Sequence, residues 1–527
     1  MSRDTEREST HDCVESDRPH DTDDIVRTLG KSGLVVFLGT FLELGISLVA
    51  KLMVAQQLVP ASYGEVTVGL TVLLVTSIVS QLGFDTGIPR NVPRYEGADR
   101  RGVLVSAFQL NLFVSLALAG LIFVSASLVA DLLGNPALVP VLRVVAFGVP
   151  AMPLMRLAIS STQSVGRSVP KVIVQNLLHP LTRIAFVSAV VLLGATPVTV
   201  AAAYVATNWI GAIAALYFLV RYTTVLNTDL GWTPKHREML VFSLPLMATT
   251  GLVFILGNTD TLMIQYLRGS ADVGVYDIGY TIAQTLSFGL ASLGYLFLPN
   301  ISDLHAADEW EQITHLYKLV TKWVVFVTIP PFLLLSYFPT PLITHTFGAE
   351  YAGGAPYLVI LATSYFTMAV TGPNQRTLSA FGDTRVILYV NTFAAALNIT
   401  LNYFLLTTIG TVGAAIASAI SLVVVHLLYC YQLYTSYDIS PFSWAVAKPV
   451  GAFLFIATCI YAVVRMTVGQ PSILGRMVLV ALAGVVYVVA ILALGGLEED
   501  DVMLVQSAEQ SLGVDLEPFK RVARWFM

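Results

Sequence analysis

Fourteen apolar runs, each close to the length of a bilayer span and separated by short polar stretches, constrain this chain more than any other feature. A helix needs about 20 mostly apolar residues to cross the hydrocarbon core of a membrane. The runs lie near residues 33–54, 65–86, 102–125, 139–163, 171–194, 197–220, 239–267, 275–298, 319–338, 355–378, 385–406, 411–434, 445–465 and 476–497. Only 12% of the 527 residues are charged, and mean hydropathy is +0.73. Soluble chains carry roughly 25% charged residues. A large water-soluble helical core would need polar faces on most helices, and these runs lack them. The expected fold class is therefore an all-α polytopic membrane protein with 14 transmembrane helices. Pro150, Pro153, Pro180 and Pro245 fall inside runs, which a membrane bundle tolerates because neighbouring groups can satisfy freed carbonyls.

Lysine and arginine set the orientation. With the N-terminus inside, 22 of the 29 fall in inner segments, while Arg143, Arg268, Arg465 and Arg476 are outer and Lys51, Arg156 and Arg183 lie within spans. An even span count then puts both termini in the cytoplasm of a plasma-membrane protein. Connections are too short for a soluble catalytic domain. Residues 1–30 are polar and acidic, without the apolar core of a cleavable signal peptide. Cys13, Cys430 and Cys459 form no disulfide framework. Asp303–Val320 and Glu517–Met527 read as helices along the inner surface; in the second, Phe519, Val522 and Phe526 share one face. The sequons at Asn300 and Asn398 fall in an inner loop and inside a span, where glycosylation is not expected.

The chain repeats itself in register. Pro60-Ala-Ser-Tyr-Gly-Glu-Val after the first run answers Ala271-Asp-Val-Gly-Val-Tyr-Asp, aligning Gly64 with Gly274 at an offset of 210. Pro89-Arg90-Asn91 answers Pro299-Asn300 at the same offset, and Gly166 answers Gly382 at 216. Six runs per copy make a parallel duplication with two runs appended. Such repeats typify transporters that rock two lobes about a site near the midplane. The organisation expected is an acidic cytoplasmic tail (1–30), a six-helix lobe (31–225), a second six-helix lobe (226–438), two C-terminal helices (439–497) and a cytoplasmic tail (498–527).

The same stretches carry a family resemblance. Leu58-Val-Pro-Ala-Ser-Tyr-Gly, Gly83-Phe-Asp-Thr-Gly-Ile-Pro-Arg90, Phe242-Ser-Leu-Pro245, Asn258-Thr-Asp260 and Ala380-Phe-Gly-Asp-Thr384 resemble, in order and spacing, the polysaccharide flippases. That family belongs to the multidrug/oligosaccharidyl-lipid/polysaccharide exporter superfamily, and the resemblance covers about residues 30–495. It implies a V-shaped, two-lobed bundle that alternates access. The implied cargo is a sugar chain on an isoprenoid phosphate or pyrophosphate, of dolichol or undecaprenol type, moved from inner to outer leaflet. It also implies an extracytoplasmic glycosyltransferase as partner and no cofactor.

Ionisable side chains at bilayer depth are costly and usually mark a pathway. Arg183 sits about eleven residues from either end of its run, roughly 16 Å at 1.5 Å per residue, too deep to reach water. Asn176, His179 and Arg183 form one helical stripe, and Asn391, Asn398 and Asn402 repeat it in the second copy. These stripes read as two walls of one central cavity. Glu43, Ser47 and Lys51 recur at four-residue spacing, as do Arg156 and Ser160. Arg183, Arg156 and Lys51 are candidates to hold the lipid phosphate, because cations form charge-assisted hydrogen bonds to its oxygens. The amides of Asn176, Asn391 and Asn398 would grip sugar hydroxyls. Equally, Glu43 with Lys51, and Asp260 with an arginine, could be ion pairs that fix helix packing, so Glu43 and Asp260 stand between ion coupling and structure. Asp85 and Arg90 read as a hinge or lobe contact that gates access, and His426 as a hydrogen-bonded packing residue.

Three other functions are weighed against this one. A cation-coupled multidrug exporter shares the superfamily, but the deep inventory is three basic residues against two acidic ones, and such exporters usually have twelve spans. The appended pair could cradle an isoprenoid tail. A major-facilitator porter is echoed only by Gly97-Ala-Asp-Arg-Arg-Gly102. A membrane glycan-processing enzyme would need a catalytic constellation on a sizeable loop, and neither metal-ligand spacing nor a nucleophile motif is present. Nucleic acid is not an expected partner. Eight lysines against 21 arginines and the acid-rich N-terminal tail suit high salt and point to a halophilic archaeon; a disordered acidic tail is the simpler account.

Overall fold

The computed structural model describes residues 43–167, 169–223, 231–467, 473–494 and 496. Every regular element among them is helical, and ten helical stretches are long and apolar enough to cross a membrane. The chain is a multi-pass helical membrane protein. The tail 1–30 and the expected surface helix Glu517–Met527 lie outside the described residues.

The first helix described, α1, covers 43–55. Next, α2 (Pro60–Gln81) opens on a proline, whose fixed φ and missing N–H suit the first helical turn. It stops where Leu82 and Gly83 take φ of 54° and 74°. The expected run 65–86 therefore divides, and Gly83-Phe-Asp-Thr-Gly-Ile-Pro-Arg90 becomes a separate helix, α3 (Phe84–Asn91). After α4 (Gly97–Leu132), the fourth run divides into α5 (Leu138–Ala146) and α6 (Ala151–Gln163) around Pro150. The fifth run begins as a π-helix over Lys171–Leu178 and continues as α7 (His179–Leu193). Pro180 supplies no N–H and crowds the carbonyl one turn behind it, which the wider π turn accommodates. A reciprocal Thr196–Thr199 capping box starts α8 (Pro197–Tyr222).

The second copy begins with α9 (His236–Arg268) and α10 (Ser270–Gln284), then crosses a 3-10 turn at Thr285–Ser287 into α11 (Phe288–Ala306). Next, α12 (Trp310–Tyr337) corrects the expected surface helix over Asp303–Val320. Residues 307–309 form a tight reversal with Asp308 at φ 62°, so that stretch is the ends of two packed helices. Ile313, Leu316 and Tyr317 of α12 bury themselves with Ile301 and Leu304 of α11. A short α13 (Pro339–Thr346) leads to α14 (Ala355–Thr371) and α15 (Asn374–Ala380). The chain ends, among described residues, with α16 (Thr384–Ile409), α17 (Thr411–Tyr437), α18 (Trp444–Thr467) and α19 (Ile473–Ala493). Phe453 and Tyr487 of the last two pack on Phe326 and Ile329 of α12.

The apolar packing is joined at one end of the bundle and forked at the other. At the joined end one cluster unites Val54, Leu58, Tyr63 and Val141 of the first copy with Ile264, Tyr276, Tyr351 and Leu406 of the second. Elsewhere the packing separates. Phe84, Leu104, Leu157 and Ala212 close one arm, and Phe297, Tyr317, Leu378 and Tyr429 close the other. Met239 at the start of α9 packs into the first arm, so this helix begins on one arm and ends at the joined end.

At the joined end α2 and α10 touch backbone to backbone. A Cβ on Gly64 would lie 1.8 Å from the Ser270 carbonyl oxygen, and one on Gly274 would lie 2.2 Å from that of Pro60. Small residues permit such crossings where lipid supplies no hydrophobic drive between helices. These are the two glycines that the repeat aligns. Gly64→Ala and Gly274→Ala are each expected to lower the thermal unfolding midpoint in detergent, in line with an overpacking cost of about 1–3 kcal/mol. Gly120→Ala, with nothing within 4 Å of its Cβ, serves as the control. Equal midpoints for all three would remove the crossing from the stability of the fold.

Candidate functional site

Lys51 does not pair with Glu43. Its Nζ lies 3.2 and 3.0 Å from the two carboxylate oxygens of Asp277 and 2.6 Å from the Thr281 hydroxyl. Tyr63 donates to the same carboxylate at 2.7 Å. Lys51 and Tyr63 belong to the first copy, and Asp277 and Thr281 lie on α10 of the second, so this cluster ties the two together beside the glycine crossing. Further ties run alongside. The Asn135 amide donates to the Ser270 hydroxyl at 2.7 Å, the Gln265 amide to the Leu133 carbonyl at 3.1 Å, and the Tyr351 hydroxyl to the Leu58 carbonyl at 2.7 Å. Asp277 escaped the sequence reading, although it stands one helical turn past Gly274 in the repeated motif.

Arg183 stands one helical turn beyond the π segment on α7. It donates through Nη1 to the Ser47 hydroxyl at 3.2 Å and through Nη2 to Nδ1 of His179 at 3.1 Å. The opposite ring nitrogen of His179 meets the Asn208 carbonyl oxygen at 2.9 Å, which fits a neutral imidazole protonated at Nε2. The guanidinium also lies over the Tyr204 ring, 5.6 Å from its centroid. Its Nε is buried and has no hydrogen-bond partner among the described residues. Arg156 on α6 is within electrostatic reach of His179 and Asp85, as Glu43 is of Arg183 and Lys171. Among the described residues no carboxylate lies within 4 Å of Arg183 or Arg156. Asn176, within the π segment, is exposed. Asp85 accepts from the Thr86 amide at 2.9 Å at the start of α3, and its carbonyl accepts from Ser160 of α6 at 2.7 Å. Arg90 lies on α3, with its side chain outside the described residues.

The second copy holds a cavity of about 420 Å³ to which α9, α10, α14, α15, α16 and α17 all contribute. Asn391, Asn398 and Asp260 share it; Arg183, Arg156 and Lys51 are not among its lining residues. Asn176, His179 and Asn402 are likewise not among them. Asp260 has no arginine partner. Its carboxylate accepts from Tyr276 at 2.8 Å, from Asn402 at 3.0 Å and from Ser418. Asn398 donates to Ser418 at 3.0 Å and accepts from Asn402 at 3.1 Å. Asn391 accepts from the Tyr429 hydroxyl at 2.9 Å. His426 also lines the cavity and exchanges two 3.1 Å hydrogen bonds with Asn374.

Arg376 in this cavity is a residue the sequence reading missed. That reading carried the tenth span through 355–378, whereas α14 ends at Thr371. Gly372 takes φ 70°, Pro373 cannot donate, and α15 restarts after the bend. The Gly-Pro pair was the available signal.

Residues 29–305 match the model of a family described as "Polysaccharide biosynthesis protein", and residues 245–404 match the MatE model. A Haloferax volcanii protein named "Probable low-salt glycan biosynthesis flippase Agl15" is 26% identical over 175 residues, 33% of this chain and 37% of that one. The first curated relatives are each matched over 36–46% of their length. Among solved structures, a lipid II flippase MurJ in an inward closed conformation superposes with a TM-score of 0.71 at 14% identity, covering 87% of this chain and 98% of that one. An inward-facing multidrug resistance MATE family transporter gives 0.66 at 12% identity, with 79% and 98% covered. At these identities the likeness is one of fold.

The Lys51–Asp277 contact makes a coupling prediction. Lys51→Asp and Asp277→Lys should each lower the thermal midpoint in detergent, and the double exchange should recover much of the loss, with an interaction of about 0.5–3 kcal/mol. Strict additivity of the two losses would show that the pair does not act as one.

Proposed function

The chain belongs to the polysaccharide biosynthesis protein family of the multidrug/oligosaccharidyl-lipid/polysaccharide exporter superfamily, and from that premise we propose that it is a lipid-linked glycan flippase. Its cargo is an oligosaccharide on an isoprenoid phosphate or pyrophosphate, of dolichol or undecaprenol type. It turns this cargo from the inner to the outer leaflet of the plasma membrane for cell-surface polysaccharide or glycoprotein synthesis. The two six-helix lobes, 31–225 and 226–438, rock about the joined end, and helices 439–497 ride on the second lobe. Both termini are cytoplasmic, the forked end opens to the cytoplasm and the joined end is the outer gate. An extracytoplasmic glycosyltransferase takes the product.

The observation that carries this reading is the Arg183 guanidinium, buried at one nitrogen, held by Ser47 and His179 and with no carboxylate within ion-pair distance among the described residues. A cation at bilayer depth costs about 2.5–3.5 kcal/mol on insertion scales unless something compensates it. A phosphate does so through charge-assisted hydrogen bonds. Arg183 and Arg156 hold the carrier phosphate, while Asn391 and Asn398 contact the sugars and Asn176 serves the same end from the first lobe. Lys51 is held by Asp277 while the outer gate is shut and becomes available when it opens. Asp85 and Arg90 gate the inner side, and Glu43 and Asp260 couple an ion. An inside-negative potential helps an anion outward, by about 2.3 kcal/mol per charge per 100 mV.

A cation-coupled drug exporter is the second reading, favoured by the MatE match over residues 245–404 and by the Asp260 network. One assay separates the two. Membranes with this chain, without it, and with Arg183→Ala are probed by a non-permeant reagent for outward-facing lipid-linked glycan. The glycolipid should accumulate facing inward without the protein, and Arg183→Ala should slow its appearance outside at least about tenfold, the loss of ~1.4 kcal/mol. Complete rescue by the alanine variant would keep the flippase and remove Arg183 from its site. Unchanged sidedness, with efflux of a cationic dye, would favour the exporter.

A further inference from the structure

The second-lobe cavity carries a charge that the phosphate site leaves unused. Arg376 lines it, half-buried, and makes no hydrogen bond or ion pair among the described residues. The one carboxylate in the lining, Asp260, is already met by the Tyr276, Asn402 and Ser418 donors. The Asn391 carbonyl oxygen is taken by Tyr429, which leaves its amide hydrogens open to the cavity. The side-chain amide of Gln375, beside Arg376, likewise has no hydrogen bond among the described residues. The open groups are thus mainly donors, and one of them is a full positive charge. Such a wall fits a ligand rich in acceptors and bearing an anion.

Size and shape narrow the ligand. Ligand cavities run from about 300 to 1,000 Å³, and one of about 420 Å³ takes one or two sugar rings rather than a whole glycan. Tyr280 and Tyr365 stand edge to face on the wall, 6.5 Å between centroids, and offer ring surface to the apolar face of a sugar. The bend at Gly372–Pro373 fixes the approach of Arg376. A Cβ on Gly372 would meet the Thr321 hydroxyl oxygen at 2.1 Å, so the bend that ends α14 is seated tightly against α12.

We propose that Arg376 is a specificity residue for an acidic sugar, a hexuronate or sulfated hexose of the transported glycan, which docks in the second-lobe cavity while the carrier phosphate sits at Arg183. This rests on the flippase reading and adds to it a second anion on the cargo, recognised by the other lobe. The carrier's own phosphate is the competing source of an oxyanion.

The test uses the full chain reconstituted in liposomes with two polyprenyl-phosphate oligosaccharides of equal length. One carries a glucuronate where the other carries glucose, and outward appearance of each is followed. The unaltered chain should move the acidic cargo at least fivefold faster than the neutral one, and Arg376→Gln should bring that ratio close to one. Arg376→Lys, which keeps the charge, should retain most of it. The methyl ester of the glucuronate cargo removes the charge without touching the protein and should move on the unaltered chain at the neutral rate. Loss of both cargoes in equal proportion with Arg376→Gln would assign the arginine to the carrier phosphate and overturn the proposal. An unaltered ratio, or a methyl ester moved as fast as the acid, would also overturn it. If the unaltered chain moves the neutral cargo but shows no preference, the flippase reading stands and this inference falls. If it moves neither, both fall.

Discussion

The crossing of α2 and α10 at Gly64 and Gly274 is the contact on which the rest of the molecule depends. Each glycine lets the backbone of one copy rest on the carbonyl of the other, and neither position has room for a Cβ. Because the two positions are equivalent in the repeat, the crossing brings matching points of the two copies together, and on the flippase reading it is their shared pivot. From it the apolar packing runs as one body through Val54, Tyr63, Tyr276 and Tyr351, then parts into two arms. The Lys51–Asp277–Tyr63–Thr281 cluster lies next to that pivot and spans both copies. On the flippase reading, an outward-open state must break those bonds, and the same side chains that stabilise the closed gate become polar groups in need of new partners. That couples gate opening to water entry or to the cargo itself.

Departures from regular helix set the polar chemistry of each half of the chain. In the first half the π segment Lys171–Leu178 precedes Pro180 and fixes the register from which His179 and Arg183 project. In the second, Gly372–Pro373 ends α14 and starts α15, with Asn374 and Arg376 just past the bend. Irregular backbone at membrane depth persists where protein or a water-filled cavity can satisfy it. Asn374 shows how: its amide donates to the His426 carbonyl and its oxygen meets the His426 ring, binding the restarted helix to α17.

The sequence made the class of fold and the repeat legible, because hydropathy and a constant offset are properties of composition and order alone. The aligned Gly64 and Gly274 turned out to be neighbours in space, something a repeat does not by itself imply. Partners were harder to read. Four-residue spacing placed Glu43, Ser47 and Lys51 on one helical face and made Glu43 the obvious mate for Lys51. The structure sends Ser47 to Arg183 and Lys51 to a carboxylate 226 positions away. Side-chain pairing across lobes depends on how two helices cross, which no local period encodes. The ends of spans failed for a different reason. Hydropathy runs smoothly through Leu82–Gly83 and through Gly372–Pro373, while positive φ values stop both helices there. Arg376 was hidden by this, since a continuous span 355–378 leaves it at a membrane edge instead of in a cavity.

The balance of charges now bears on what the interior is built to hold. Lys51 and Asp277 neutralise each other, and Asp260 is stabilised by three neutral donors without help from a cation. Arg183, Arg156 and Arg376 are left with no carboxylate within ion-pair distance among the described residues. A buried charge without a partner is among the costlier features a protein can retain. Such cost is lowest when a ligand supplies the counter-charge for part of the working cycle, because the unpaired state is then transient. On the flippase reading, an interior that meets Asp260 with neutral groups and leaves three guanidinium groups without an ion-pair partner among the described residues suits a negatively charged cargo. A carrier of organic cations would call for the reverse, with carboxylates left open and arginines paired. On the same reading, open cations in both halves would let a cargo with anions at two points bridge the arms. Drawing the arms together around it would then load the Gly64–Gly274 crossing, where the proposed outer gate lies.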